Sequence, residues 1–140
     1  MGYDIKIGEA CVVAPAGAGG ADEGVPPRIW AVGATHPEAP APDIGHPHNG
    51  IAPSYGGWSG FADAVGLRDL FFDEKTGLMR DHPGAAVLTR KHHARIHAEL
   101  VDIVDGVNSV GDDHRQRLVW LEWWVRWALD NCTIPVIANT

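Results

Sequence analysis

His93 and His97 stand four residues apart in a segment whose apolar residues recur at helical spacing. On a helix that spacing puts both imidazoles on one face, one turn apart, where both rings can reach a single ion. Zinc is the metal such a pair most often serves, and it needs at least a third protein ligand. His46 and His48, which can converge from one short loop, are the first candidates, with His36, Asp81 and His82 behind them. The zincin signature places Glu directly after the first histidine; here Ala94 follows His93. The competing reading is a pair of histidines at the edge of the core, satisfied by backbone or water.

A second chemistry draws on the same pair. A nucleotide or similar phosphate ester wants an aromatic face, a planar cation and imidazole donors. Trp58, Tyr55 and Trp123 supply rings, Arg90 and Arg126 guanidinium groups, and His93 and His97 donors. Against this, Arg126 lies between Glu122 and Asp130 at i, i+4 steps, the pattern of a salt-bridge ladder, and tryptophans usually serve the core. No G-x-S-x-G elbow, P-loop or dinucleotide fingerprint occurs, and the neighbours Asp81–His82 and Asp113–His114 are not thereby paired in space. Cys11 and Cys132 form no metal or redox spacing and read as small buried apolar residues of a reduced protein.

These groups must be positioned by a few strong elements. Residues 112–132, DDHRQRLVWLEWWVRWALDNC, hold four of the six tryptophans and read as a long central helix. Leu118, Leu121, Val125, Ala128, Leu129 and Cys132 fall on one side and Trp120, Trp124 and Trp127 on another. Two apolar sides predict two partners, so the helix should be sandwiched inside the domain or between subunits. Arg115, Glu122, Arg126 and Asp130 make the narrow polar sector, and Asp112 or Asp113 starts the helix. The histidine-bearing helix is capped by Thr89 and stopped by Gly106. Its inward stripe is expected to run through His93, Ile96, His97, Leu100, Val104 and Val107, with Arg90 at the border and His92, Arg95, Glu99 and Asp102 solvated.

Elsewhere Tyr3, Ile5 and Ile7 alternate with polar residues as in a half-buried strand reaching Val13, and Arg28–Val32 returns as a hairpin. Ser59 can cap a short helix to Val65, stopped at Gly66. Leu70–Phe72 is a strand or a buried loop, Asp81–Gly84 a turn, and residues 133–138 a final strand that Pro135 puts at an edge or at its own start. Residues 35–57, with five prolines and three histidines, form a long His/Pro/Gly loop.

One hundred and forty residues fit one domain, residues 1–140, and the ordinary apolar and charged fractions argue against wholesale disorder. Eighteen acidic against eleven basic residues argue against duplex nucleic acid as a partner, though not against a small anion held locally. The opening residues carry charges where a signal peptide needs an apolar run, and no stretch has the length of a membrane span. The expectation is a cytoplasmic protein.

The stretches PSYGGWSGFADAVGLRDLFF, TGLMRDHPGAAVLT and LVWLEWWVRWALDNCTIPVIANT, with the opening MGYDIKIGEA, together resemble a family of small uncharacterised proteins of actinobacteria and their phages. The likeness runs over most of the chain. It implies at most an accessory protein acting inside a bacterial host; by analogy of context, some small phage accessory proteins bind host proteins and others sequester nucleotide signals. The combined expectation is an α+β domain: a small antiparallel sheet, made of the N-terminal hairpin and the C-terminal strand, packed on three helices. Its expected function is non-enzymatic binding of a nucleotide-type anion near Arg90, without cofactor, by a homo-oligomer. The alternatives are a zinc protein or zinc-dependent hydrolase using His93 and His97, and an adaptor or inhibitor of a host enzyme.

Overall fold

The alternation at Tyr3–Ile7 resolves into a strand in a computed structural model that describes residues 2–13, 28–40 and 48–140. Strand β1 (Ile5–Val13) buries Ile5 and Ile7 and returns as β2 (Arg28–Ala31), as the hairpin reading expects. Two short strands follow, β3 (Gly50–Ile51) and β4 (Gly84–Val87), and the chain reaches β5 (Pro135–Asn139) last. All pairings are antiparallel, in the order β2-β1-β5-β4 with β3 beside β1. Pro135 is indeed the first residue of its strand, where a missing N–H costs no ladder bond. Strand β5 nevertheless lies in the middle of the sheet.

β1 changes partner halfway. Ile5–Glu9 pair with β5, Ala10–Val13 with β2. Its second half thereby carries β2 over the far face of β5 and β4, where Ala31, Val136 and Ala138 bury with Trp30, Ala10 and Ala85, and Arg28 reaches the Thr140 hydroxyl. Glu9 sits at this corner and accepts the backbone N–H groups of Thr133 and Ile134. Those bonds hold its carboxyl below the usual range.

The near face carries the helices. Helix α1 (Tyr55–Ala64) is capped by Ser54, whose hydroxyl accepts the Gly57 N–H, rather than by Ser59. The Gly56–Gly57 pair, poor in helix propensity, lies inside the first turn. Leu70–Phe72 belong to one short helical turn, α2 (Arg68–Phe72), and form neither a strand nor a loop. Helix α3 (Arg90–Val104) has the expected Thr89 cap, completed by the His92 ring, and the expected stop at Gly106, whose φ of 77° suits glycine. Helix α4 (Asp112–Asn131) starts from Gly111, with both aspartates inside its first turn at the positive end of the dipole.

α4 lies between β1 and β5 on one side and α1 and α3 on the other, as its two apolar sides require. Leu118, Trp120, Leu121, Trp124, Val125 and Ala128 are all fully buried. The inward stripe of α3 is narrower and rotated from the expected one: Ile96 is buried and Leu100 and Ile103 are packed, whereas Val104 and Val107 are exposed. Among the described residues no helix is long and apolar enough to cross a membrane.

Candidate metal centre

α3 and α4 run antiparallel along a seam. At one end the Arg90 guanidinium bonds Asp130 at 2.9 Å and the Leu129 carbonyl at 3.3 Å. One turn further along α3, His93 and His97 stack with ring centroids 5.7 Å apart and face Glu122 on α4. A single carboxylate oxygen, Oε1 of Glu122, lies 3.1 Å from His93 Nε2, 3.6 Å from His97 Nδ1 and 3.1 Å from Arg126 Nε. The first and last are hydrogen-bond distances; 3.6 Å is not.

His93, His97 and Glu122 each offer one ligand atom, and these atoms lie within 4.8 Å of one another. A tetrahedral zinc with bonds of about 2.0–2.1 Å holds its ligand atoms about 3.3 Å apart, so a small inward movement of His97 closes the set. Two histidines on one helical face and a carboxylate from a neighbouring helix form a His₂Glu set, a combination used in catalytic zinc centres. Burial grades across it: the Glu122 side chain is 10% exposed, His93 19% and His97 56%, so the centre opens toward solvent at His97.

The electrostatics suit an anionic ligand atom. Burial pushes the Glu122 carboxyl up, but the hydrogen bonds and charge of Arg126 and His93 outweigh it and hold the group below its ordinary value. As an ionised carboxylate Glu122 only accepts, so His93 Nε2 carries the hydrogen when no ion is bound. A metal would take that nitrogen's lone pair in the other tautomer.

Glu122 is the residue that sequence reasoning missed as a ligand. It belongs to the narrow polar sector of α4, where α3 packs over it and buries it while Arg115, Arg126 and Asp130 stay exposed. The sequence points instead to His46, His48, His36, Asp81 or His82 for the third ligand. His48 is not in the cluster; its Nδ1 accepts the Gly50 N–H, and its ring borders a hollow of about 410 Å³ with Lys6 and Trp30. His46 lies outside the described residues. His36 packs its ring on Trp123, 5.1 Å between centroids, and Asp81 meets Arg80.

The residues expected around a nucleotide do not assemble into one site. Arg126, His93 and His97 meet at Glu122, and Arg90 stands at the end of the same seam, engaged with Asp130. Trp58 is fully buried against Phe61 and Phe71, and its ring plugs the core instead of facing a ligand. Trp123 is half-buried, edge-on to Trp124. Tyr55 belongs to a different cluster, with Tyr3 and His82.

That second cluster has a determined proton order. Asn139, 1% exposed, donates its amide to the carbonyls of Asp81 and Gly84, which can only accept. Its Oδ1 is thereby turned toward His82 Nδ1, which must carry the hydrogen. In the neutral ring Nε2 is left as an acceptor, and the Tyr55 hydroxyl stands 3.2 Å away as its donor. Both ring nitrogens of His82 are therefore occupied.

Comparison with protein-family models, with curated proteins and with solved structures finds no match.

Proposed function

We propose that the protein binds one divalent first-row transition metal ion, of the zinc type, at His93, His97 and Glu122. The observation that carries this reading is the convergence of two imidazole nitrogens and one ionised carboxylate oxygen within 4.8 Å, held by two packed helices. Imidazole suits zinc, copper, iron and nickel, and a carboxylate completes such a set without thiolates. Three protein ligands leave at least one position for water or a bound group, and the exposed His97 edge gives that position access to solvent. The role is thus ligand or substrate binding at a metal with an open position, in an accessory protein whose setting is the inside of a bacterial cell.

Titration of the purified, chelator-treated protein with zinc tests this. The expected result is about one equivalent bound per chain, with a thermal stabilisation that a chelator reverses; at a hundredfold excess over Kd the stabilisation is about 2.7 kcal/mol. Less than a tenth of an equivalent bound, with no shift in Tm, removes the reading.

A further inference from the structure

We propose that this centre takes its metal together with a phosphate-type dianion, coordinated at the metal's open position and gripped by Arg126; the inference rests on the metal reading above. Arg126 presents its Nε to the same Glu122 oxygen that would ligate the ion, 3.1 Å away. In the metal-free protein the carboxylate and the guanidinium cancel. A divalent ion added to neutral imidazoles, Glu122 and Arg126 leaves the cluster doubly positive, and the guanidinium opposes the ion it adjoins. Asp130, the carboxylate one helical turn beyond Arg126, is already paired with Arg90 and does not relieve this charge.

A monoanion would leave half the excess, whereas a phosphoryl dianion balances it. The geometry suits it too. Arg126 carries five N–H donors, of which Nε alone is used on Glu122, and its side chain is 47% exposed. A guanidinium fork holds two oxygens of a phosphate while a third reaches the metal. Binding of metal and anion is then coupled, each raising the other's affinity by the same factor. The arrangement also explains how a chain of net charge −7 could select a phosphate: the positive site exists only once the ion is present.

The test is a cobalt(II) titration of the full chain, read by visible absorption, with and without inorganic phosphate. Phosphate is expected to raise cobalt affinity on the order of 5- to 150-fold. In R126M, cobalt binds more tightly than to the wild type without phosphate, and the phosphate effect falls below about twofold. R126K keeps the charge and most of the coupling, which separates loss of the cation from a disturbed helix seam. AMP in place of phosphate separates the two sources of the group: coupling equal to or above that of phosphate assigns a nucleotide phosphate, and coupling by phosphate alone assigns the free ion. Cobalt binding that phosphate leaves unchanged in the wild type, or changes equally in R126M, overturns this inference and spares the metal site. No cobalt binding in any arm overturns both.

Discussion

The seam between α3 and α4 and the cluster at Tyr55 and His82 both gather imidazoles beside polar partners, yet they differ in what is left over. At His82 the hydrogen bonds close: Asn139 fixes one nitrogen, Tyr55 serves the other, and two backbone carbonyls fix Asn139 in turn. At Glu122 they do not close, because several donors compete for one oxygen and His97 remains at 3.6 Å, beyond hydrogen-bond reach. A closed network orders the fold, while convergent groups with unmatched geometry can rearrange around an ion.

The largest effect should come from removing ligands at the open seam. H93A with H97A is expected to lower zinc affinity by at least about 100-fold, measured by calorimetric titration, while H82A leaves it within about twofold. Equal losses in the two variants would erase the distinction between the clusters. Zinc affinity should also weaken as pH falls, since each ligand must give up its proton.

Stability should respond in the opposite sense. Replacing Asn139 by Leu strands the Asp81 and Gly84 carbonyls and the His82 Nδ1–H, at a cost of about 1–3 kcal/mol in chemical denaturation, with zinc affinity unchanged. Imidazole nitrogen chemical shifts of wild-type protein should show His82 in its Nδ1–H form; the other tautomer would break the assigned proton order. Y55F removes one exposed donor from the same network and should cost about 0.5–1 kcal/mol.

A still smaller effect is expected at Glu9, which belongs to neither cluster. Its folded pKa lies below the unfolded one, so its contribution is present above the unfolded value and disappears as pH falls through the lowered folded value. The Tm difference between wild type and E9Q should therefore narrow on acidification, as thermal melts between pH 7 and pH 3 would show. A gap that widens in acid would reverse the assigned direction.

Much of the architecture was legible in the residues. Thr89 and Gly106 bracket α3, and the two apolar sides of α4 announced that it would be covered twice. Strand β4 was not legible, because Gly84–Val87 are small residues behind a turn and acquire strand geometry only by pairing with β5. The candidate centre was half legible. Spacing within one helix places His93 over His97, but it cannot say which neighbour lies opposite, and Glu122 became a ligand candidate only because α3 packs on the polar sector of α4. The same limit misplaced Trp58 and Tyr55: three residues apart in the first turn of α1, one goes into the core and one toward His82.

The central position of β5 has a consequence for how the chain acquires its shape. β1 and β4 are separated by some seventy residues and meet only through Pro135–Asn139. Until that segment arrives, the edges of both strands that it will occupy stay unsatisfied and the corner at Glu9 has nothing to accept from. Such distant pairings are assembled slowly, so an early intermediate should contain α3 and α4 as a helical hairpin, with the sheet forming last around its late-arriving middle.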